Sequence, residues 1–358
     1  VVIVGIDQKK LRMADSMSEH KVLEISLHGS WREMGQQYGD QARIELHKVL
    51  QFLERKYDGS VLRAERIANV SRMLVSHYPD RYLDMIMGMS ETSGLSYEQL
   101  LLVNAVEYAE GEFGCSALAV WGNYTPDGRL IYGRNYDGAS FAPLSDCVVL
   151  VRFAPNDGSL AFSMVGYAGE IYALSGWNEA GVFVELNNGM PSTGFDVDWN
   201  EVPSTTTLMD ALRCCRSIDE VELYLQQHRS ASGFIIGITD GKEARACEWC
   251  KEGCRAAVRD ASRLVITNHY TSSSWHYEVP TDGQSWRSLT RRKNLLDISD
   301  CAKGTITTSV MKDVLTHNIN VGGPMMTELS LYHIVYDVAA SAIWIKVEPY
   351  SNWQRFDY

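Results

Sequence analysis

Hydrophobic positions recur at helical spacing through the first third of the chain. "SWRE" (Ser30 to Glu33) is a capping box, in which a Ser begins a helix and a Glu follows three residues later. Apolar residues then follow one face of a predicted helix that ends at the "DGS" stretch of 58–60: Met34, Tyr38, Leu46, Val49, Leu50 and Leu53. Further helices are predicted over 61–77, from Pro79, and after a second capping box, "SYEQ" (Ser96 to Gln99). Residues 1–29 predict an irregular arm and one short strand, "KVLEISLHG".

The pattern changes after residue 114, where strands separated by short turns replace the long helices. "SALAVW" and "RLIYGR" flank the turn sequence "TPDG" (Thr125 to Gly128) and predict a β-hairpin. Paired helices are predicted near 205–229 and near 285–298 and 307–317. Strands are predicted at 147–153, 160–166, 181–186, 233–240, 244–249, 254–258, 263–267, 331–338 and 342–348. This order favours an α+β fold with largely antiparallel sheets. It divides the chain into a mainly helical segment, 1–114, and a second domain, 115–358.

Composition narrows the functional classes. The net charge of −12 repels phosphate backbones, which argues against a nucleic-acid partner. No apolar run approaches the length of a membrane span, about 18 residues. Val1 is not an initiator residue, so the sequence is compatible with a cytoplasmic or a secreted protein, with the cytoplasm slightly favoured. A homo-oligomer is compatible with the sequence.

The cysteine cluster "CEWCKEGC" supplies Cys247, Cys250 and Cys254 and raises the question of zinc. The first two lie in a strand-like run, and no second CxxC or His pair has matching spacing. Buried thiols are therefore the preferred interpretation, and no metal and no cofactor are predicted.

The hairpin surrounds Cys115 with groups that suit a reactive thiol. A tight turn at 125–128 pairs residues whose numbers sum to about 253, which places Asp137 beside Ser116 and Arg134 a few positions further in. Arg134 is permanently cationic and favours the thiolate, and Asp137 is an acceptor for a nearby amine.

The hairpin contains no histidine to serve as base. A Cys-His pair would have to recruit a distant residue such as His269, His276 or His317. The alternative base is the α-amino group of Cys115, which exists only if the Gly114–Cys115 bond is cut. A glycine at 114 suits that reaction, because it has no side chain to crowd attack of the thiol on its carbonyl.

Four motifs in order resemble one family. The hairpin, with Cys115, "PDG" and "GRNYD", resembles the cysteine-type N-terminal nucleophile (Ntn) hydrolases, which include choloylglycine hydrolase and penicillin V acylase. "GSWREMGQQYG", "WNEAGVFVELNN" and "VITNHY" resemble the acyl-CoA:6-aminopenicillanic acid acyltransferase branch of that group. The resemblance spans roughly residues 22–350.

The resemblance implies an αββα sandwich whose helical propeptide is removed by self-cleavage and can stay bound. It implies Cys115 as the nucleophile, Arg134 as the thiolate-side cation, Asp137 as the amine-holding carboxylate and Asn268 as the oxyanion asparagine. It implies substrate contacts from Asn187, with Asn188 as the fallback, and from Arg291, with Arg287 and Arg292 close enough to compete.

The predicted function is therefore a self-processing amidohydrolase or acyltransferase that acts on a small N-acyl amide through a Cys115 thioester. Two alternatives remain: an uncleaved, non-catalytic protein that binds a small acyl-amine, and a cysteine-cluster metal protein. The residues also have ordinary interpretations. Cys115 could be a buried thiol, Arg134 and Asp137 a surface ion pair, Asn187 and Asn268 turn residues, and Arg291 part of a solvated basic helix face.

Overall fold

The computed structural model describes residues 21–57, 61–110, 114–349 and 352–357. The predicted irregular arm and the predicted break at 58–60 lie outside these ranges. The helical first third is confirmed, with helices α1 (Trp31–Gln41), α2 (Arg43–Tyr57), α3 (Val61–His77), α4 (Asp80–Ser93) and α5 (Tyr97–Glu110). Both predicted capping boxes form, at Ser30 and at Ser96. The single helix predicted behind Ser30 is wrong, because the backbone leaves helical geometry at Ala42 and separates α1 from α2.

Glycines explain why α1 and α4 lie so close together. A Cβ added at Gly35 would lie 2.1 Å from the carbonyl oxygen of Met85, and one at Gly88 would lie 2.1 Å from that of Arg32. Any side chain at either position would push the two helices apart. Gly35, in the "GSWREMGQQYG" motif, therefore has a packing role in this chain.

Two sheets form the rest of the molecule. The eight-stranded sheet has the order β1 (Leu23–Gly29), β4 (Val148–Pro155), β5 (Phe162–Tyr167), β6 (Ser175–Asn178), β7 (Phe183–Asn188), β8 (Phe234–Thr239), β9 (Ala244–Cys250) and β10 (Gly253–Ala256). The six-stranded sheet has the order β11 (Arg263–Ile266), β2 (Gly114–Gly122), β3 (Gly128–Asp137), β12 (Ser330–Asp337), β13 (Ala342–Val347) and β14 (Gln354–Asp357). The pairing is antiparallel, as predicted, except between β1 and β4, which run parallel.

The two sheets stack face to face, and helices cover their outer faces. Tyr132 of β3 donates its hydroxyl to Glu185 of β7 across the interface at 2.9 Å. Short α6 (Met190–Thr193) leads from β7 towards α7 (Ser204–Cys214) and α8 (Ile218–Gln227), which pack on the eight-stranded sheet. α9 (Ser288–Cys301) and α10 (Thr308–Thr316) pack on the six-stranded sheet. The α+β class and the αββα layering are thus confirmed.

The predicted hairpin forms between β2 and β3, and its pairing sum is 251 where about 253 was predicted. Tyr136 lies opposite Cys115, and Asp137 lies opposite Gly114 rather than Ser116. The last pair before the turn is Gly122 and Gly128, so the turn spans 123–127 and is centred nearer the N-terminus than a tight turn at 125–128 would be. The aspartate is therefore placed at the Gly114–Cys115 junction itself.

Three further differences concern the elements. β6 was not predicted, because its four residues, "SGWN", include one aromatic and no β-branched residue. β14 was not predicted either. α9 begins at Ser288, later than predicted, because the backbone of Trp286 and Arg287 is left-handed. Among the described residues, no helix combines the length and the apolar character needed to cross a membrane.

Candidate active site

Cys115 lies near the start of β2, between the two sheets, and is buried. Tyr136 of β3 pairs with it on one side. On the other side, β11 pairs with β2 as far as Ile266, and the chain continues past Cys115 to Asn268. A strand start held on both sides gives the thiol a fixed position.

Arg134 holds the thiol side of the site. Its Nη2 lies 3.4 Å from the Cys115 Sγ and donates to the Leu186 carbonyl at 2.5 Å. Its Nη1 donates to the Ser175 hydroxyl at 2.6 Å. Because the guanidinium is wholly buried and bonded on several sides, the cation cannot swing away from the sulfur.

The pKa of the Cys115 thiol in the uncleaved chain is about 11, above its ordinary value. Burial of the thiol raises this pKa, and the positive charge of Arg134 lowers it. The direction predicted for Arg134 is right, but burial outweighs it. The thiol of the uncleaved chain is therefore protonated at neutral pH.

Glu185 of β7 belongs to the site and was missed from the sequence. Its carboxylate lies 3.3 Å from the Arg134 Nε and accepts hydrogen bonds from Tyr132 at 2.9 Å and from Asn187 at 2.5 Å. Burial raises the pKa of Glu185, and Arg134 opposes that rise. An acidic residue within the apolar run "GVFVEL" was the available signal, since carboxylates are almost never fully buried unpaired.

Asn268 faces the nitrogen of the Gly114–Cys115 bond. Its Oδ1 accepts the backbone N–H of Cys115 at 3.0 Å, and its Nδ2 donates to the Asn188 carbonyl at 2.8 Å. The backbone N–H of Asn268 donates to the Ser288 hydroxyl at 2.7 Å. These partners fix which end of the amide points at Cys115: it is the oxygen.

Arg291 lies in the site rather than on a solvated helix face. Its Nη2 donates to the Asn268 Oδ1 at 2.5 Å, and its Nη1 donates to the Cys115 carbonyl at 2.5 Å. Arg291 is fully buried, whereas Arg287 is exposed and Arg292 is partly exposed. Of the three competing arginines, Arg291 is the one that the structure brings to Cys115.

Asp137 is tied to the same cluster. Its Oδ2 lies 3.5 Å from the Arg291 Nη1, and its Oδ1 accepts the Ser330 hydroxyl at 2.6 Å. Burial raises the pKa of Asp137, and Arg291 and Ser330 partly offset that effect. Asp137 and Arg134 are both buried, so neither belongs to a surface ion pair.

The adjacent residues Asn187 and Asn188 make different contacts in the site. Asn187 donates to Glu185, and Glu185 in turn pairs with Arg134, which contacts the thiol. Asn187 is therefore connected to the thiol through Glu185 and Arg134. Its Oδ1 has no partner among the described residues. Asn188 contributes its backbone carbonyl to Asn268. Asn187 is thus placed to support the Arg134–Glu185 pair.

The three candidate histidines are placed elsewhere. His269 Nδ1 lies 2.7 Å from the Ser288 hydroxyl, and burial lowers its pKa to about 4. His276 and His317 are exposed. Within the described ranges, no hydrogen bond joins a histidine to Cys115.

Cys247 and Cys250 lie on β9, as predicted, and Cys254 lies on β10. The first two are buried and the third is half-buried. In the described part of the chain, no group of three or more His, Cys, Asp or Glu side chains is arranged to hold a metal ion.

Residues 124–351 match the family described as acyl-coenzyme A:6-aminopenicillanic acid acyl-transferase. The match covers most of the chain and begins after Cys115. Among curated proteins, protein dcd1B of Dictyostelium discoideum is 29% identical over 126 residues, which cover 32% of this chain and 25% of that protein. The chain therefore aligns with about a quarter of that relative's length.

Solved structures with a similar arrangement include three enzymes. A Caenorhabditis elegans ortholog of N-acylethanolamine-hydrolyzing acid amidase has a TM-score of 0.47 and 18% identity, covering 62% of this chain and 92% of that one. A mutant of conjugated bile acid hydrolase from Clostridium perfringens has a TM-score of 0.45 and 13% identity, covering 68% and 92%. Penicillin V acylase from Agrobacterium tumefaciens has a TM-score of 0.42 and 11% identity, covering 68% and 86%.

Proposed function

The chain belongs to the acyl-coenzyme A:6-aminopenicillanic acid acyl-transferase family, and from that premise we propose that it is a self-processing amidohydrolase or acyltransferase with Cys115 as its nucleophile. Its substrate is a small N-acyl amide. The observation that carries the proposal is the placing of three buried side chains around one residue, Cys115. Arg134 lies at the sulfur of Cys115, Asn268 at its nitrogen, and Arg291 at its carbonyl oxygen.

Self-cleavage is the first step of the proposal. The Cys115 sulfur adds to the carbonyl carbon of Gly114, the C–N bond breaks, and the thiol proton ends on the Cys115 nitrogen. Water then hydrolyses the thioester, which restores the thiol and leaves a carboxylate on Gly114. The contact between Asn268 and the Cys115 nitrogen supports this step, because it holds the nitrogen while it becomes an amine.

Turnover of substrate repeats the same bond changes. The α-amine of Cys115 takes the thiol proton, the sulfur attacks the substrate amide, and the proton passes to the leaving amine. Asp137 pairs with Gly114, and this proximity supports a role for its carboxylate in holding the new ammonium. Asn268 Nδ2 carries a second hydrogen besides the one given to Asn188, and we assign that hydrogen to the oxyanion. Water or an acceptor amine then resolves the thioester.

The segment before the cut is proposed to stay bound as a separate chain. β1 pairs with β4 along its full length and so belongs to the sheet of the second domain. Trp31 donates to Asp157 at 2.9 Å, and Tyr82 donates to Asp210 at 2.7 Å. Losing this segment would expose a sheet edge and a large apolar surface. Cleavage at Gly114–Cys115 would therefore break the backbone, but the two fragments would remain in one folded unit.

Burial of the thiol favours one competing function. A protonated, inaccessible Cys115 is also what an uncleaved, non-catalytic binding protein would have. The purified protein on a denaturing gel distinguishes the two. The proposal requires two fragments that meet at Gly114–Cys115, and a single stable chain would favour the binding protein.

A further inference from the structure

Trp286 and Arg287 have an uncommon backbone. Their φ angles are 50° and 57°, so two successive residues with side chains are left-handed. Such a conformation costs of order 1–3 kcal/mol per residue and persists only where surrounding contacts enforce it. Here the Trp286 carbonyl accepts from the Arg291 Nε at 2.9 Å, and the Arg287 N–H donates to the Asp282 carbonyl at 2.9 Å. The side chain that holds Asn268 and Cys115 thus also holds Trp286.

This turn lies directly against the scissile residue. A Cβ added at Gly114 would lie 3.3 Å from the Trp286 Cβ, and 3.5 Å from both the Trp286 Cγ and the Met326 Cε. All three neighbouring atoms are apolar carbons: two belong to Trp286 and one is the methyl carbon of Met326. On its other side the Trp286 ring meets Phe195 edge to face, with centroids 6.3 Å apart, and Phe195 is exposed. An apolar wall therefore runs from the Gly114 Cα towards solvent.

In the proposed chemistry, the wall that contacts Gly114 before cleavage also contacts the substrate after cleavage. In self-cleavage the acyl group on the sulfur is the chain that ends at Gly114, and in turnover it is the acyl group of the substrate. Both are carried by the same sulfur atom. The rest of the first segment stays bound, but once Gly114 leaves the sulfur, the space that it held is open to the acyl group of the substrate.

We propose that Trp286, with Met326 and Phe195, forms the acyl-binding wall of the processed enzyme, and that it selects acyl groups that are apolar and unbranched at the α-carbon. The α-carbon of the substrate takes the place of the Gly114 Cα. A substituent there meets the Trp286 Cβ at the distance that a Cβ on Gly114 would. A hydroxyl or charge there would lie against these carbon atoms of Trp286 and Met326, which is costly. This inference rests on the proposed function.

The test compares two activated esters that differ by one methyl group: 4-nitrophenyl phenylacetate and 4-nitrophenyl 2-phenylpropionate. Single-turnover acylation of processed enzyme is followed by nitrophenolate release, and mass spectrometry locates the acyl group. Each rate is divided by that of free cysteine, which removes intrinsic reactivity. The unbranched ester should acylate Cys115 faster by about 10-fold or more, the usual effect of one methyl group in a packed site.

Three variants assign that selectivity to Trp286. Trp286→Gly removes the Cβ and suits the left-handed backbone, so it should abolish the preference. Trp286→Ala keeps the Cβ, so it should keep the preference while weakening binding of both phenyl esters. Arg287→Gly relieves the same backbone strain on the exposed neighbouring residue and should change neither.

Self-cleavage supplies a readout that does not depend on esters. Gly114→Ala should slow cleavage, and adding Trp286→Gly should restore it by making room for the new methyl group. Equal normalised rates for the two esters, or a preference that survives in Trp286→Gly, would overturn the acyl wall. If neither ester acylates Cys115 in processed protein, the proposed function is overturned instead.

Discussion

The side-chain oxygen of Asn268 accepts the backbone N–H of Cys115 at 3.0 Å, across 153 positions of sequence. An asparagine expected to donate to an oxyanion thus first serves as an acceptor for the nitrogen of the scissile bond. Both uses are compatible, because an amide carries an oxygen and two N–H groups. A substitution at Asn268 can therefore remove the N–H donor alone, or remove the donor and the acceptor together.

Asn268→Ala should lower single-turnover acylation of processed enzyme by roughly 10²–10³-fold, the effect of removing one oxyanion donor. Asn268→Asp keeps an acceptor for the Cys115 nitrogen and loses the donor, so it should lose acylation to a similar extent. The melting temperature is recorded for both variants. Near-normal acylation by the aspartate variant would show that Asn268 acts only as an acceptor, and the oxyanion would need another donor.

Cys115→Ala should leave the chain in one piece, because no sulfur remains to attack Gly114. The unsubstituted protein should give two fragments, one ending at Gly114 and one beginning at Cys115, by intact mass. Cys115→Ser is the matched control, since its hydroxyl can make the same acyl shift more slowly. Complete cleavage of the alanine variant would contradict self-processing.

The accessibility of the thiol should change on cleavage. In the uncleaved chain Cys115 is buried with a pKa of about 11, so its reaction with iodoacetamide should be slow at neutral pH and rise as the pH rises towards 11. Cys214 is exposed, and a hydrogen bond to Cys215 lowers its pKa, so Cys214 should react first. After cleavage the order should reverse. Peptide mapping of alkylated protein checks this, with Gly114→Ala, whose cleavage should be slow, labelled before it is processed.

Charge changes on either side of the thiol should move its pKa in opposite directions. Arg134→Gln removes the charge that lowers the Cys115 pKa and should shift the alkylation profile to higher pH. Glu185→Gln removes a charge that raises this pKa and should shift the profile to lower pH. Because Glu185→Gln also leaves Arg134 as a buried, uncompensated cation, it should cost about 3–5 kcal/mol of stability. Shifts of the same sign in both variants would contradict this electrostatic account.

The two fragments should co-elute in size-exclusion chromatography. Asp210→Ala removes the carboxylate that accepts from Tyr82 and pairs with Arg81, both on α4. It leaves a buried hydroxyl unpaired at a cost of about 1–3 kcal/mol, so it should weaken retention of the first fragment. Asp219→Ala is the control, because its exposed pair with Arg245 lies within the second fragment. Equal release from both variants would mean that this contact does not hold the fragments together.

Local pattern predicted much of this fold. The capping boxes at Ser30 and Ser96, the turn near 125–128 and the apolar runs of most strands depend on neighbouring residues, so they can be read from the chain. The position of Cys115 at a helix-to-sheet junction followed from the same signals. The hairpin brought Arg134 and Asp137 towards Cys115, although the position of the turn between Gly122 and Gly128 shifted the register by two.

Tertiary packing decided what surrounds Cys115. Asn268, Glu185 and Arg291 come from separate elements, and only the stacking of two sheets and the docking of α9 bring them together. Arg291 shares a helix with exposed basic residues, so its burial is invisible to a helical pattern. The net pKa of Cys115 likewise depends on how much water the fold excludes, and the sequence supplies only the sign of the nearby charges.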